Sequence, residues 1–168
     1  MKIFYPDKND TSQSELSVFL AGPTLRDNPG RLTPWRDEAI GVFKDFCFDG
    51  SLYVPEPYGG NYKEQILWEE RHLDLCDCVL FWVPRNMKTL PGLTTNVEFG
   101  DWMRSGKVVL GFPSDAEHVS YLAHKAEKYS IPTSNCLVET VRSAIDMAIR
   151  SGPKNVLRPQ KSHPDDLL

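Results

Sequence analysis

The sequence predicts an α/β fold with a parallel sheet, and three observations carry that expectation. Short apolar runs alternate with longer stretches of helical periodicity, the signature of right-handed βαβ units. One run, Cys78 to Val83, is apolar almost throughout, as a strand covered on both faces requires. The chain has 168 residues, 40% of them hydrophobic and 25% charged, which suits one globular domain with its own core. The domain is expected over residues 1–152, and the Pro-rich, aperiodic stretch 153–168 reads as a mobile tail.

The elements follow in order. Val18-Phe19-Leu20-Ala21 is a buried strand that ends at the turn Gly22-Pro23. Thr33-Pro34 reads as a helix cap followed by proline at the first helical position. Behind it Trp35, Ala39, Val42, Phe43 and Phe46 recur at helical spacing. Leu52-Tyr53-Val54 is a second strand, stopped by Pro55 and Pro57. A second helix is expected from about Tyr62 to Cys76, and the strand Cys78–Val83 follows. Leu90 to Thr95 reads as a loop, with a third helix running on to about Ser105. Val108-Val109-Leu110-Gly111 is a fourth strand, and further helices are expected near Glu117–Lys128 and Leu137–Ile149. In sheets of this kind ligands bind beyond the carboxyl ends of the strands. The loops that matter are then Gly22–Arg31, Pro55–Asn61, Pro84–Asn96 and the one after Gly111.

Composition narrows the function. The formal net charge is −4, with no basic surplus to neutralise a phosphate backbone, so a small molecule is a better partner than nucleic acid. No apolar run reaches membrane-spanning length, and the first residues lack the apolar core of a signal peptide, so we expect no membrane partner and a cytoplasmic location. Of the four cysteines only Cys76 and Cys78 are close, and no histidine cluster joins them, which is not a zinc pattern. His72, His118, His124 and His163 show no metal-ligand spacing. Trp68, Trp82 and Trp102 are packing residues that could also stack on a base.

Two carboxylates stand out. On the second helix Tyr62, Ile66, Leu73 and Cys76 form one stripe, with Glu69 in its middle and Gln65 at its edge. A carboxylate on a buried face is costly unless it is paired or hydrogen-bonded. Either the stripe is not the buried one, or Glu69 pairs with an arginine or lysine, or the polar part of the stripe opens into a pocket. Glu98 closes Thr95-Asn96-Val97-Glu98, which fits a capping box. It equally fits an ionised carboxylate in the first turn of a helix at the carboxyl edge of the sheet, stabilised by the helix dipole and placed for attack at an anomeric carbon. Local sequence leaves both open.

Five segments in order decide between them by likeness. FLAGP (Phe19–Pro23), Q-x-x-W-E (Gln65–Glu69), CDCVLFWVP (Cys76–Pro84), LPGLTTNVEFG (Leu90–Gly100) and GKVVLGFP (Gly106–Pro113) resemble the nucleoside 2-deoxyribosyltransferase-like proteins. The resemblance spans roughly Val18 to Ala148. It implies a flavodoxin-like, doubly wound sheet of about five strands with helices on both faces. It implies a double displacement in which Glu98 attacks the anomeric carbon of a 2-deoxynucleoside, while Glu69 holds the sugar hydroxyls and orients the nucleophile. Gly22, Pro23, Asn61, Gln65 and Asn96 are the expected substrate-binding residues. The implied partners are a nucleoside or nucleotide and a free base. No metal or organic cofactor is implied, and a homo-oligomer is, because related transferases complete their sites with a neighbouring subunit.

The sequence also departs from its relatives. Base-exchanging members carry an acidic residue some six positions before the nucleophile, where this chain reads Pro91-Gly92-Leu93-Thr94. Base handling then falls to Asn96, Thr94 or Asn61. Phe19 stands where relatives often have Tyr. Transfer to a second base, hydrolysis, and binding without turnover all stay open. So does hydrolysis of nucleoside 5′-monophosphates, with Arg26, Arg31 and Arg85 as candidates for the phosphate.

Overall fold

The strand Cys78–Trp82 is buried at every residue because it lies in the middle of a sheet with helices on both faces. In the computed structural model the described residues are 1–6, 16–25, 32–56 and 61–151. They form β1 (Lys2–Phe4), β2 (Ser17–Ala21), α1 (Pro34–Asp45), β3 (Ser51–Tyr53), α2 (Tyr62–Leu75), β4 (Cys78–Trp82), α3 (Leu93–Trp102), β5 (Val108–Gly111), α4 (Ser120–Lys128), β6 (Thr133–Ser134) and α5 (Leu137–Ser151).

The strands make one sheet in the order β1-β3-β2-β4-β5-β6, parallel at every pairing. From β3 onward this is the doubly wound order of flavodoxin-like folds, with β1 added outside β3. The architecture is the expected one, but the sheet has six strands rather than about five. The unforeseen strands are short edges of three and two residues, β1 and β6. Neither forms an alternating or continuous apolar run of useful length, so hydrophobic patterning could not mark it.

Two apolar layers sandwich the sheet. On one face Trp35, Ala39, Ile40 and Phe43 of α1 and Val141, Ala144 and Ala148 of α5 pack on Val18, Leu20, Leu80 and Val109. On the other, Leu73 of α2, Phe99 of α3 and Leu122 and Ala126 of α4 pack on Phe19, Val79, Phe81 and Leu110. The alternation along each strand is the two-residue pleat seen from both sides.

One helix start corrects the sequence expectation and another meets it. α3 begins at Leu93, not after Thr95, because Gly92 caps it in the left-handed conformation at φ 54° and ψ 51°. Thr95 therefore lies inside the helix, and no capping box forms. Glu98 consequently sits in the second turn, beyond the strongest reach of the dipole. At α1, Thr33 is the capping residue and proline follows it, but the Thr33 side chain makes no cap bond. Its hydroxyl accepts from Leu25 N instead, at 3.3 Å. The segments 7–15, 26–31, 57–60 and 152–168, with the expectations for Arg26, Arg31 and the tail, lie outside the described residues. Among the described residues no helix is long and apolar enough to cross a membrane.

Candidate active site

The chain order of the strands reverses between β2 and β4, and a doubly wound sheet opens its binding crevice at that switch point, beyond the carboxyl ends. There β2 runs into Gly22-Pro23. Gly22 has φ +151°, and a Cβ on it would fall 2.2 Å from Trp82 O and 2.8 Å from the Trp35 ring. Only glycine lets the turn lie this close to the end of β4. A Cβ on Gly92, the cap of α3, would in turn fall 2.9 Å from Pro23 Cβ. The turn after β2 is thus wedged between the end of β4 and the start of α3.

Arg36 holds that turn from beneath. It lies on the buried face of α1, in step with Ala39, Ile40 and Phe43, and is 1% exposed. Its Nη2 donates to Gly22 O at 2.9 Å, its Nε to Leu20 O at 3.3 Å, and its Nη1 to Thr24 Oγ1 at 3.2 Å. Nη1 also forms a 2.6 Å ion pair with Glu56 Oε1, and the same oxygen accepts from Thr33 N at 2.8 Å. Trp35 Nε1 donates to Pro23 O at 3.0 Å.

Glu69 reaches the crevice from α2. Gln65 Nε2 donates to Glu69 Oε1 at 2.8 Å and to Pro55 O, in the loop after β3, at 3.3 Å. The two polar members of the α2 stripe therefore form a hydrogen-bonded pair at the carboxyl edge. The rest of the stripe is split: Leu73 and Cys76 are buried, while Tyr62 and Ile66 are exposed. The polar end of the stripe is thus half open, and Glu69 is hydrogen-bonded there by Gln65.

Glu98, half-buried on α3, shares this environment. Burial raises its pKa to about 7, the negative charge of Glu69 adds to the rise, Arg36 opposes it and Asp101 contributes further. The dipole-favoured ionised carboxylate expected from the sequence is thus corrected: loss of water around the second turn outweighs the helix terminus. Burial likewise raises Glu69, against the pull of Gln65's hydrogen bond and of Arg36. The Arg36 guanidinium is itself pushed down by burial, which the charges of Glu56, Glu98 and Glu69 offset only in part. Three carboxylates therefore surround one arginine. A carboxyl group that titrates near neutrality suits either a nucleophile when ionised or a proton donor when not.

With this geometry in place, comparison with known proteins is informative. A family model described as "Nucleoside 2-deoxyribosyltransferase like" matches residues 15–116, more than half of the chain. The chain belongs to the nucleoside 2-deoxyribosyltransferase-like family. No curated protein matches the sequence. The matched segment contains β2 to β5, the switch-point turn and both site glutamates, so membership and the crevice concern the same part of the molecule. The family implies small nucleoside-type substrates.

The remaining sequence candidates divide. Gly22 and Pro23 form a turn packed against Trp82, Trp35 and Gly92, and Gln65 is bound to Glu69. Asn61 is exposed and caps α2, its Oδ1 accepting from Lys63 N at 2.9 Å. Asn96 is exposed on α3, and its Oδ1 accepts from Arg85 Nη2 at 2.6 Å. Arg85 is buried, and its other contacts are His118 O at 2.8 Å and Gly92 O at 3.4 Å. Its guanidinium ties the turns at Gly92 and His118 to α3, and its Nε is buried with no hydrogen-bond partner among the described residues. Trp68 packs beside Phe19, Tyr53 and His72. Trp82 is buried, and Trp102 lies under Lys107 Nζ at 4.4 Å. Arg36 and Glu56 were not foreseen. Arg36 stands on an apolar helix stripe just as Glu69 does, so the same criterion could have found it. Glu56 sits between Pro55 and Pro57 at the end of a strand, a weaker signal.

Proposed function

We propose that this protein cleaves the N-glycosidic bond of 2-deoxynucleosides through a covalent deoxyribosyl ester on Glu98. The observation that carries this reading is the shared electrostatic environment of Glu98, Glu69 and Arg36 at the switch point. In the first step a Glu98 oxygen bonds to the anomeric carbon as the carbon–nitrogen bond breaks. The base departs with the electron pair and is protonated. In the second step the nitrogen of another base, or water, attacks the same carbon, and the Glu98 carboxylate is regenerated. Positive charge develops on the sugar in both steps, and ionised Glu98 and Glu69 both favour it. Glu69, fixed by Gln65, accepts hydrogen bonds from the sugar hydroxyls and keeps Glu98 in line. Burial raises the Glu98 pKa to about 7, so the nucleophile gains its charge as pH rises through that region, and rates are expected to rise with it.

The crevice wall made by Gly22 and Pro23 lets the sugar approach the backbone, and Asn96 and Asn61 stand at its rim for the base. Apolar side chains exposed on α2 (Tyr62, Ile66, Leu67) and on α3 (Leu93, Val97) support an assembly of copies through this side of the molecule. The decisive experiment incubates the protein with deoxyinosine and other 2-deoxynucleosides, with and without a second free base, and follows products by chromatography. Release or exchange of base is expected. Absence of both from every nucleoside and nucleotide tried refutes the reading.

A further inference from the structure

The site carboxylates lean on a single arginine that is built into the floor of the crevice. An arginine present only to neutralise Glu56 would need only that contact. Arg36 instead donates to Leu20 O, Gly22 O, Pro23 O and Thr24 Oγ1 as well, gripping one turn from several directions. That turn bears on Gly92, and Gly92 caps the helix that carries Glu98. Contact therefore runs unbroken from the guanidinium to α3. The charges that act on Glu98 come from three helices: Arg36 from α1, Glu69 from α2, and Asp101 from α3 itself. Glu56, after β3, faces Arg36 directly, and Arg85, after β4, is held at Asn96.

We infer that Arg36 is a positioning residue for Glu98: it fixes the Gly22–Pro23 turn against the start of α3, and it supplies the positive charge that Glu56 and the site carboxylates share. This rests on Glu98 being the nucleophile. Glu56 competes with Glu98 for that charge. Its Oε1 is bound to Arg36 and Thr33 N, while its Oε2 is buried with no hydrogen-bond partner among the described residues. The two members of the pair therefore act on Glu98 in opposite senses. Without Arg36, Glu69 and Asp101 are unopposed and Glu98 is harder to ionise. With Glu56 neutral but unchanged in shape, more of the arginine's field reaches Glu98, which ionises more easily.

The test is a carboxyl-carbon NMR titration of the full chain, with the Glu98 signal identified by its loss in Glu98→Gln. The Glu98 midpoint is expected to rise by about one pH unit in Arg36→Met and to fall by about one unit in Glu56→Gln. Arg36→Lys keeps the charge but not the fork of donors, so it should titrate like the parent while kcat falls about tenfold or more. Midpoints that stay put, or that move in the same direction in both variants, overturn the inference. If Arg36→Met does not fold, Glu56→Gln decides alone: a lower midpoint supports the inference and an unchanged one overturns it. Failure of the nucleophile reading is separate, because it shows as absence of base release by the parent protein and leaves the titration readable.

Discussion

At the amino edge of the sheet Lys107 is buried, and its ammonium donates to Leu73 O, Asp74 O and Cys76 O at 2.6, 3.0 and 3.0 Å. These are carbonyls at the end of α2, where the helix dipole is negative, so the cation both fills their hydrogen-bonding capacity and complements the field. Nearby, Ser17 Oγ donates to Asp77 Oδ2 at 2.7 Å and accepts from Asp77 N at 3.2 Å, tying the starts of β2 and β4. At the carboxyl edge Arg36 is as deeply buried, yet it answers to Glu56, Glu69 and Glu98 together. At one edge the buried cation is matched to fixed backbone carbonyls. The other leaves carboxylates in excess of positive charge, and burial, with the charge of Glu69 added, raises the Glu98 pKa to about 7. A surplus of this kind destabilises the resting fold, and it belongs where a reacting group is to supply what the protein withholds.

Substitutions can break or sharpen this contrast. The largest effect is expected from Glu98→Ala, which should lower turnover of a 2-deoxynucleoside by at least about 10³-fold in steady-state assays, with thermal stability maintained. Full activity in that variant would refute Glu98 as nucleophile. At the opposite edge Lys107→Met leaves three carbonyls of α2 without their donor and should destabilise the fold by about 3 kcal/mol in denaturant titration, while kcat/KM of the folded fraction is unchanged. A catalytic defect there would mean that the two edges are not independent.

Glu98→Gln should do the reverse. Folded Glu98 keeps its proton up to about pH 7, whereas the unfolded chain releases it near the ordinary carboxyl value of 4.5. Between these values the native state binds more protons, so the contribution of this group to stability is lost as pH rises through the window. Replacing Glu98 by Gln should stabilise the protein by about 2 kcal/mol at pH 8, a figure already reduced for its partial exposure, and the gain should vanish towards pH 4.5. Melting curves at both pH values check the sign. The smallest effect is expected from Asn61→Ala, which removes the cap of α2 and should cost about 1 kcal/mol. A rise in KM beyond that loss would give Asn61 a direct part in binding.

Much of this molecule is legible in the chain. Val18–Ala21, Cys78–Val83 and Val108–Gly111 announce central strands because double-sided burial leaves no room for polar residues. Glu69 is legible because a carboxylate on an apolar stripe needs an explanation. The start of α3 is less so, since Thr95-Asn96-Val97-Glu98 satisfies a capping rule that the left-handed Gly92 pre-empts three residues before the expected cap. The pairing of Arg36 with Glu56 joins residues 20 positions apart on different elements, and no local pattern encodes such a contact. The raised Glu98 pKa depends on which groups surround it in three dimensions, so the sequence dipole argument pointed the other way.

The sheet ends in strands of three and two residues, β1 and β6. Strands this brief expose few unpaired backbone groups, so they make poor templates for the edge-to-edge growth that leads from folded sheets to fibrils. The apolar side chains on the outer faces of α2 and α3 carry no such ladder. Copies that meet there bury side chains and not backbone, which favours a closed, countable assembly over open-ended polymerisation.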